Sequence, residues 1–201
     1  MDPAFDPKDE FTEEVASFEL EMIDMLKMKE YYKMAHDYLA ERGWSDPEGQ
    51  GDKFETYYFE QIDPKGSKFH FIWWRLDKYP AATKNSKYKY MKFYMIVDLK
   101  TLVLRDAEKV VDGKKIKGQD GDIIWAVKSY LIKDLGKQFR NHWFLKMFHK
   151  KFHDVWYSKT IDQAKKELWN ETYRFHERLR QFMRLKHSPH ITERPEPAKG
   201  L

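Results

Sequence analysis

The segment KFHFIWWRL at residues 68–76 allows neither alternation of its side chains to face water. Its odd positions are Phe69, Phe71, Trp73 and Arg75, and its even positions are His70, Ile72, Trp74 and Leu76. Successive side chains of a β-strand point to opposite faces, so a strand of this composition is apolar on both. DIIWAVKSYLI at 122–132 has the same character. A sheet built from such strands is covered twice, curls around a helix, or leaves a cavity for a ligand.

Turn signals divide the middle of the chain into a series of such strands. Residues 54–62 are rich in Tyr and Phe, and Asp63-Pro64-Lys65-Gly66 is a turn leading into 68–76. After the polar connection at 77–87 come strands at 88–98 and 101–111. Asp112-Gly113 is a type I′ hairpin signal into an arm at 115–117, and a second Asp-Gly step at 120–121 precedes the strand at 122–133. Five to six consecutive strands with short connections make a curved antiparallel β-meander.

Helical periods flank this region. Thr12 reads as the cap of one long N-terminal helix whose apolar positions are Phe11, Val15, Phe18, Met22, Met25, Leu26, Tyr32, Ala35 and Leu39, closed by Gly43 and Trp44. At about 30 residues it would be roughly 45 Å long, which motivates a homodimer through the N-terminal helix. Leu135, Phe139, Trp143, Met147, Phe148, Phe152, Val155 and Trp156 form the stripe of a second helix. Thr160 and Gln163 form a capping box that opens a third. The fold expected is α+β: the meander, one long N-terminal helix and two C-terminal helices, as a single domain over 1–186 with a Pro-rich, disordered tail at 187–201.

The charge is informative once divided by position. The 201 residues carry 37 Lys+Arg and 33 Asp+Glu, yet residues 1–63 balance to −12 and residues 64–201 to +16. An acidic element then either neutralises the basic body of its own domain or leaves a basic face for phosphate or an acidic protein. With no cysteine there is no disulfide, thiol nucleophile or iron–sulfur cluster. Neither a signal peptide nor a transmembrane run is legible, so a cytoplasmic location is expected.

Candidate binding residues fall into two groups. A cupped sheet would line an apolar pocket with Trp73, Trp74, Arg75, Tyr90, Tyr94 and Trp125, Arg75 meeting a carboxylate or phosphate. Alternatively, KNSKYKYMKFY at 84–94 interleaves lysines with aromatics, which suits phosphate neutralisation combined with base stacking. That face would use Lys84, Lys87, Lys89 and Lys92, joined by Arg140, Lys146, Lys150 and Lys151 from the basic aromatic helix at 136–157. The same helix also has the composition of a membrane-surface element. His149 and His153 have the i, i+4 spacing of a helical metal pair, with His142 one further turn pair away. The residues between them are Lys150, Lys151 and Phe152 rather than a catalytic glutamate, so no metal is expected. No nucleophile elbow, phosphate-binding loop or dinucleotide fingerprint occurs, and no cofactor or catalytic residue is assigned.

The stretch from FETYYFEQIDPKGSKFHFIWWRLDKYP through YKYMKFYMIVDLKTLVLRDAEKV to DGDIIWAVKSYLIKD resembles a family of archaeal α+β proteins without an assigned activity. In that family a DPxGx hairpin leads into a Trp-containing strand, and amphipathic strands precede two basic aromatic helices. The resemblance spans about residues 54–185 and implies an archaeal, cytoplasmic setting. It transfers no site residue. The function expected is a non-enzymatic binding or adaptor domain whose target, protein or nucleic acid, meets a basic aromatic face. An apolar ligand cup and membrane-surface association through 136–157 are the alternatives.

Overall fold

The computed structural model describes residues 5–48, 53–84, 90–111, 114–135, 137, 141–151, 157–186 and 190–194. Its strands are β1 (Thr12–Leu26), β2 (Glu55–Ile62), β3 (Lys68–Lys78), β4 (Lys92–Val111), β5 (Lys114–Ile132) and β6 (His190–Arg194). Its helices are α1 (Met28–Glu41), the single turn α2 (Ala81–Lys84), α3 (Trp143–Lys151) and α4 (Ser158–Lys186). The strands form one sheet in the order β2-β3-β4-β5-β1-β6, antiparallel at every pairing. The class is therefore mixed α+β around an antiparallel sheet, as the strand patterning indicates.

The N-terminal third departs from the sequence expectation. Residues 12–26 are a strand rather than the first half of a long helix, and only 28–41 are helical. Ala16, Phe18, Leu20 and Met22 are buried while Glu19 and Ile23 are exposed, so the period that wins here is two. Phe18, Met22 and Met25 also satisfy helical spacing, and that coincidence is what made the stretch read as helix. The 45 Å helix on which a dimer was to form is thus absent. The C-terminal half of that expectation agrees with the structure. Gly43 adopts φ +79°, its N–H donates to the Ala40 carbonyl at 2.9 Å, and the Trp44 N–H donates to the Leu39 carbonyl at 3.1 Å. This is a glycine-capped helix end with Trp44 folded back into the core.

One face of the sheet, called inner here, carries the core. Leu20 and Met22 of β1, Ile72, Trp74 and Leu76 of β3, Phe93, Met95, Val97 and Leu99 of β4, and Ile123, Trp125 and Val127 of β5 pack under two helices. α1 contributes Met28, Tyr31, Ala35 and Leu39, and α4 contributes Ile161, Ala164, Leu168, Phe175, Leu179 and Met183. A polar contact fixes α4 on the sheet: the buried Thr172 hydroxyl donates to the Leu168 carbonyl at 2.8 Å and meets the Ser129 hydroxyl at 2.8 Å. In the C-terminal part, α3 covers 143–151, and residues 136, 138–140 and 152–156 of the expected second helix lie outside the described residues. Residues 190–194, within the stretch read as tail, form β6 against Glu19–Ile23 of β1.

Two expected strand pairs merge into long strands, β4 of 20 residues and β5 of 19. The Asp-Gly step at 120–121 is consequently an irregularity inside β5 rather than a turn. Register between β4 and β5 shifts between Leu102 and Arg105, Val103 adopts φ +55°, and Gly121 lies opposite with φ +153°. A Cβ on Gly121 would sit 2.9 Å from the Leu102 and Val103 carbonyl oxygens. Gly121→Ala is therefore expected to destabilise the fold by more than 1 kcal/mol or so, combining strain with a backbone clash. Val103→Asn should stabilise it by about 0.5–1 kcal/mol, because a β-branched side chain is the costlier occupant of a left-handed conformation. Urea denaturation of the two variants measures both signs.

Candidate functional site

The Asp63–Ser67 turn determines which side chains share the outer face. The Asp63 carboxylate accepts the backbone N–H groups of Lys65 (2.9 Å) and Ser67 (2.7 Å), and the Asp63 N–H donates to the Ser67 carbonyl at 2.9 Å. The resulting register sets Tyr57 opposite Trp73, Phe59 opposite Phe71 and Gln61 opposite Phe69. Trp74 and Ile72 face the core, so their neighbours Trp73 and Phe71 point to the other side of the sheet with Tyr57 and Phe59. The Tyr57 and Trp73 rings lie 4.4 Å apart, those of Phe59 and Phe71 6.2 Å, and those of Tyr57 and Phe59 6.5 Å. Tyr57 is 41% exposed, Phe59 39% and Trp73 38%, so these rings present an aromatic strip to solvent.

Cations border the strip on its inboard side. The Arg75 guanidinium lies 5.7 Å from the Trp73 ring centroid and donates to the Asp98 carboxylate and the Trp74 carbonyl, at 2.8 and 2.9 Å. Held this way, it stays over the edge of the indole instead of sampling solvent. Lys100 stands opposite Phe71, and Lys128 stands opposite Ile96, the register partner of Arg75. Both lysines are exposed. Across β1 the same face turns acidic, with Glu19 and Glu21 in line with Ala126 and Ile124.

The six residues proposed as a cup do not share a surface. Trp73 and Arg75 are in the outer strip. Trp74 and Trp125 are fully buried on the inner side, 6.0 Å apart, with Phe54 at 5.7 Å from Trp74 and Phe175 at 6.3 Å from Trp125. Tyr94 is buried on the outer face beneath Phe5, which stacks on it at 4.2 Å. Tyr90 is half-buried against Tyr157, and its phenol is pushed up by burial, then by Asp134 and Tyr157. Of the proposed nucleic-acid contacts, Lys87, Lys89 and Arg140 lie outside the described residues. Lys84 belongs to α2, and Lys146, Lys150 and Lys151 to α3. Lys92 pairs with Asp77 at 3.0 Å, both largely buried. Sequence reasoning missed Tyr57, Phe59, Phe71 and Lys100. The signal was there: with the turn at 63–67 as origin, the odd-numbered aromatics of both arms fall on one face.

Two other places were candidates for chemistry. Thr101, His70 and Glu60 line up as hydroxyl, imidazole and carboxylate. Thr101 Oγ1 accepts the His70 backbone N–H at 3.0 Å and lies 2.7 Å from Nδ1, while Nε2 faces Glu60 at 3.6 Å. The Thr101 hydroxyl has no solvent path, so the set ties β2, β3 and β4 together instead of attacking a substrate. A groove of about 550 Å³ lies between Lys27–Lys29 and the outer part of the β4–β5 hairpin, where charges of both signs alternate and Lys117 pairs with Glu108 at 3.3 Å. Among the described residues no group of three or more His, Asp or Glu is placed to hold a metal ion. No helix among them is long and apolar enough to cross a membrane. Compared with known proteins, the chain matches no family model, and no curated protein or solved structure gives a significant match.

Burial pushes the His70 imidazole below its ordinary 6.5, with Glu60 pulling part of the way back. The folded protein therefore prefers the neutral ring, and the unfolded chain takes up a proton first as the pH falls. Stability contributed by this group is complete above about pH 6.5 and is lost progressively below it. His70→Asn should flatten the stability profile between about pH 5 and pH 7, read by urea midpoints across that window; an unchanged slope would place the titrating group elsewhere.

Proposed function

We propose that the protein is a non-catalytic binding domain that holds a single-stranded nucleic acid across the outer face of its sheet. The observation that carries this reading is the exposed Tyr57–Trp73 pair with the Arg75 guanidinium fixed beside it. Aromatic faces on an open sheet accept unstacked bases irrespective of sequence, and neighbouring cations neutralise the backbone that joins them. Lys100 and Lys128 supply mobile charge inboard of the rings, and Glu19 and Glu21 repel phosphate beyond them, which confines the path to the β2–β5 side of the face. The basic balance of residues 64–201 supports the same class of target.

Titration with single-stranded oligouridine and oligothymidine, followed by tryptophan emission, tests this directly. Affinity should fall between 50 and 200 mM salt, as phosphate neutralisation requires. Trp73→Ala should cost about 1–3 kcal/mol, roughly ten- to a hundredfold in Kd, the worth of a stacked base. Lys100→Glu should weaken binding and flatten its salt dependence. Absence of binding at 50 mM salt would sink the nucleic-acid reading and leave a protein as the target of the strip.

A second reading rests on α3. Trp143 is 77% exposed, and Phe144, Met147 and Phe148 are exposed beside it, in a segment at 136–157 that carries five Lys+Arg and one Asp. Bulky apolar side chains in a basic context suit the surface of an anionic bilayer. Vesicles containing phosphatidylserine should then retain the protein at low salt, and Trp143→Ala should abolish that retention. Equal recovery of both proteins in the supernatant would remove this reading.

A further inference from the structure

We infer that the free edge of β2 pairs with β2 of a second copy of this chain, joining two aromatic strips into one. A target lying on the outer face leaves the exposure of β2 unexplained. Among the described residues β2 ends the sheet and is paired along one side only, and it is exposed at all eight positions. Its apolar residues are exposed on both faces: Tyr57 and Phe59 on the outer, Tyr58 (55%) and Ile62 (59%) on the inner. A ligand on the outer face touches the first two alone. An added strand reaches Tyr58 as well, because it lays alternate side chains on either side while its backbone satisfies the edge N–H and C=O groups. A long apolar edge without such a cover is the kind that proteins otherwise suppress.

The pairing of β2 with itself is chemically matched. A two-fold axis normal to the sheet keeps outer faces together, so residues that meet must share a face. An antiparallel pairing centred on Tyr58 sets Tyr57 of each copy against Phe59 of the other, twice, and Tyr58 against its own equivalent. Aromatic pairs at these positions are among the favourable cross-strand combinations. Glu60 falls opposite Thr56, in the bulge that separates Glu55 from Tyr57, and the matched stretch ends there. Trp73 stacks on Tyr57 from the inboard side, and the merged strip therefore runs Trp73–Tyr57 of one copy into Phe59–Phe71 of the other. The binding face becomes about twice as long. This inference does not depend on which target the strip holds.

Light scattering of the full chain without nucleic acid, from about 1 to 200 μM, is the test. The mass should rise from one chain to two and stop there. Tyr58→Lys, which places a charge at the centre of the junction, should move the midpoint at least tenfold towards higher concentration. Trp143→Ala, in α3, should leave it in place. Hydrogen exchange gives a second readout that does not rely on a variant: amides of β2 should be protected at high concentration and lose that protection on dilution, while those of β4 stay constant. A single-chain mass throughout the range, oligomers that grow past two, or a dimer that Trp143→Ala dissociates and Tyr58→Lys does not would each overturn the inference.

Discussion

The placement of β1 inside the sheet, between β5 and β6, constrains everything that follows it. From that position the chain must reach β2 at the opposite edge, crossing β5, β4 and β3. Strands spaced about 4.8 Å apart put those two positions roughly 19 Å apart, and the 14 residues of α1 span about 21 Å. Its Tyr32 hydroxyl already donates to Glu55 of β2 and its ring packs on Trp74 of β3, so the helix and the loop after it share the crossing. It lies over the inner face because that is where Trp74, Phe93 and Trp125 need cover. α4 fills the rest of that face, and the outer one is left to the aromatic strip.

How much of this was legible varies with the kind of signal. The central strands were readable because β-branched and aromatic residues are dense there and the turn at Asp63–Gly66 is chemically specific. That α1 ends at Gly43 was readable for the same local reason. The identity of residues 12–26 was not, since Phe18, Met22 and Met25 satisfy both periods and only pairing with β5 decides between them. The grouping of the candidate site residues was less legible. Trp73 and Trp74 are adjacent in the chain but belong to opposite faces, so a pocket drawn from neighbouring aromatics mixed core with surface. Counting along both arms from the turn at 63–67 separates the faces, in agreement with the register of β2 against β3.

The opposed charges of the two chain segments are partly spent within the fold. Burial raises the Glu13 carboxyl, but hydrogen bonds and charge from Lys165 and Lys133 outweigh it and hold the group below its usual range. Those lysines lie 2.6 and 3.0 Å from Glu13. Arg42 and Lys78 likewise converge on Glu171, which is itself mostly buried. The acidic element begins as a strand rather than a helix, and its Glu13 carboxylate fastens the sheet to α4. Among the described residues, the outer face carries Lys100 and Lys128 inboard of the strip and Glu19 and Glu21 beyond it.

Phe5 gives the outer face a boundary that belongs to no strand. It stacks on Tyr94 and meets Tyr130 edge-on at 5.1 Å, covering the two rings that would otherwise continue the aromatic surface towards Lys92. The lead-in peptide therefore caps one end of the sheet, and the open aromatic surface stops short of Tyr94 and Tyr130.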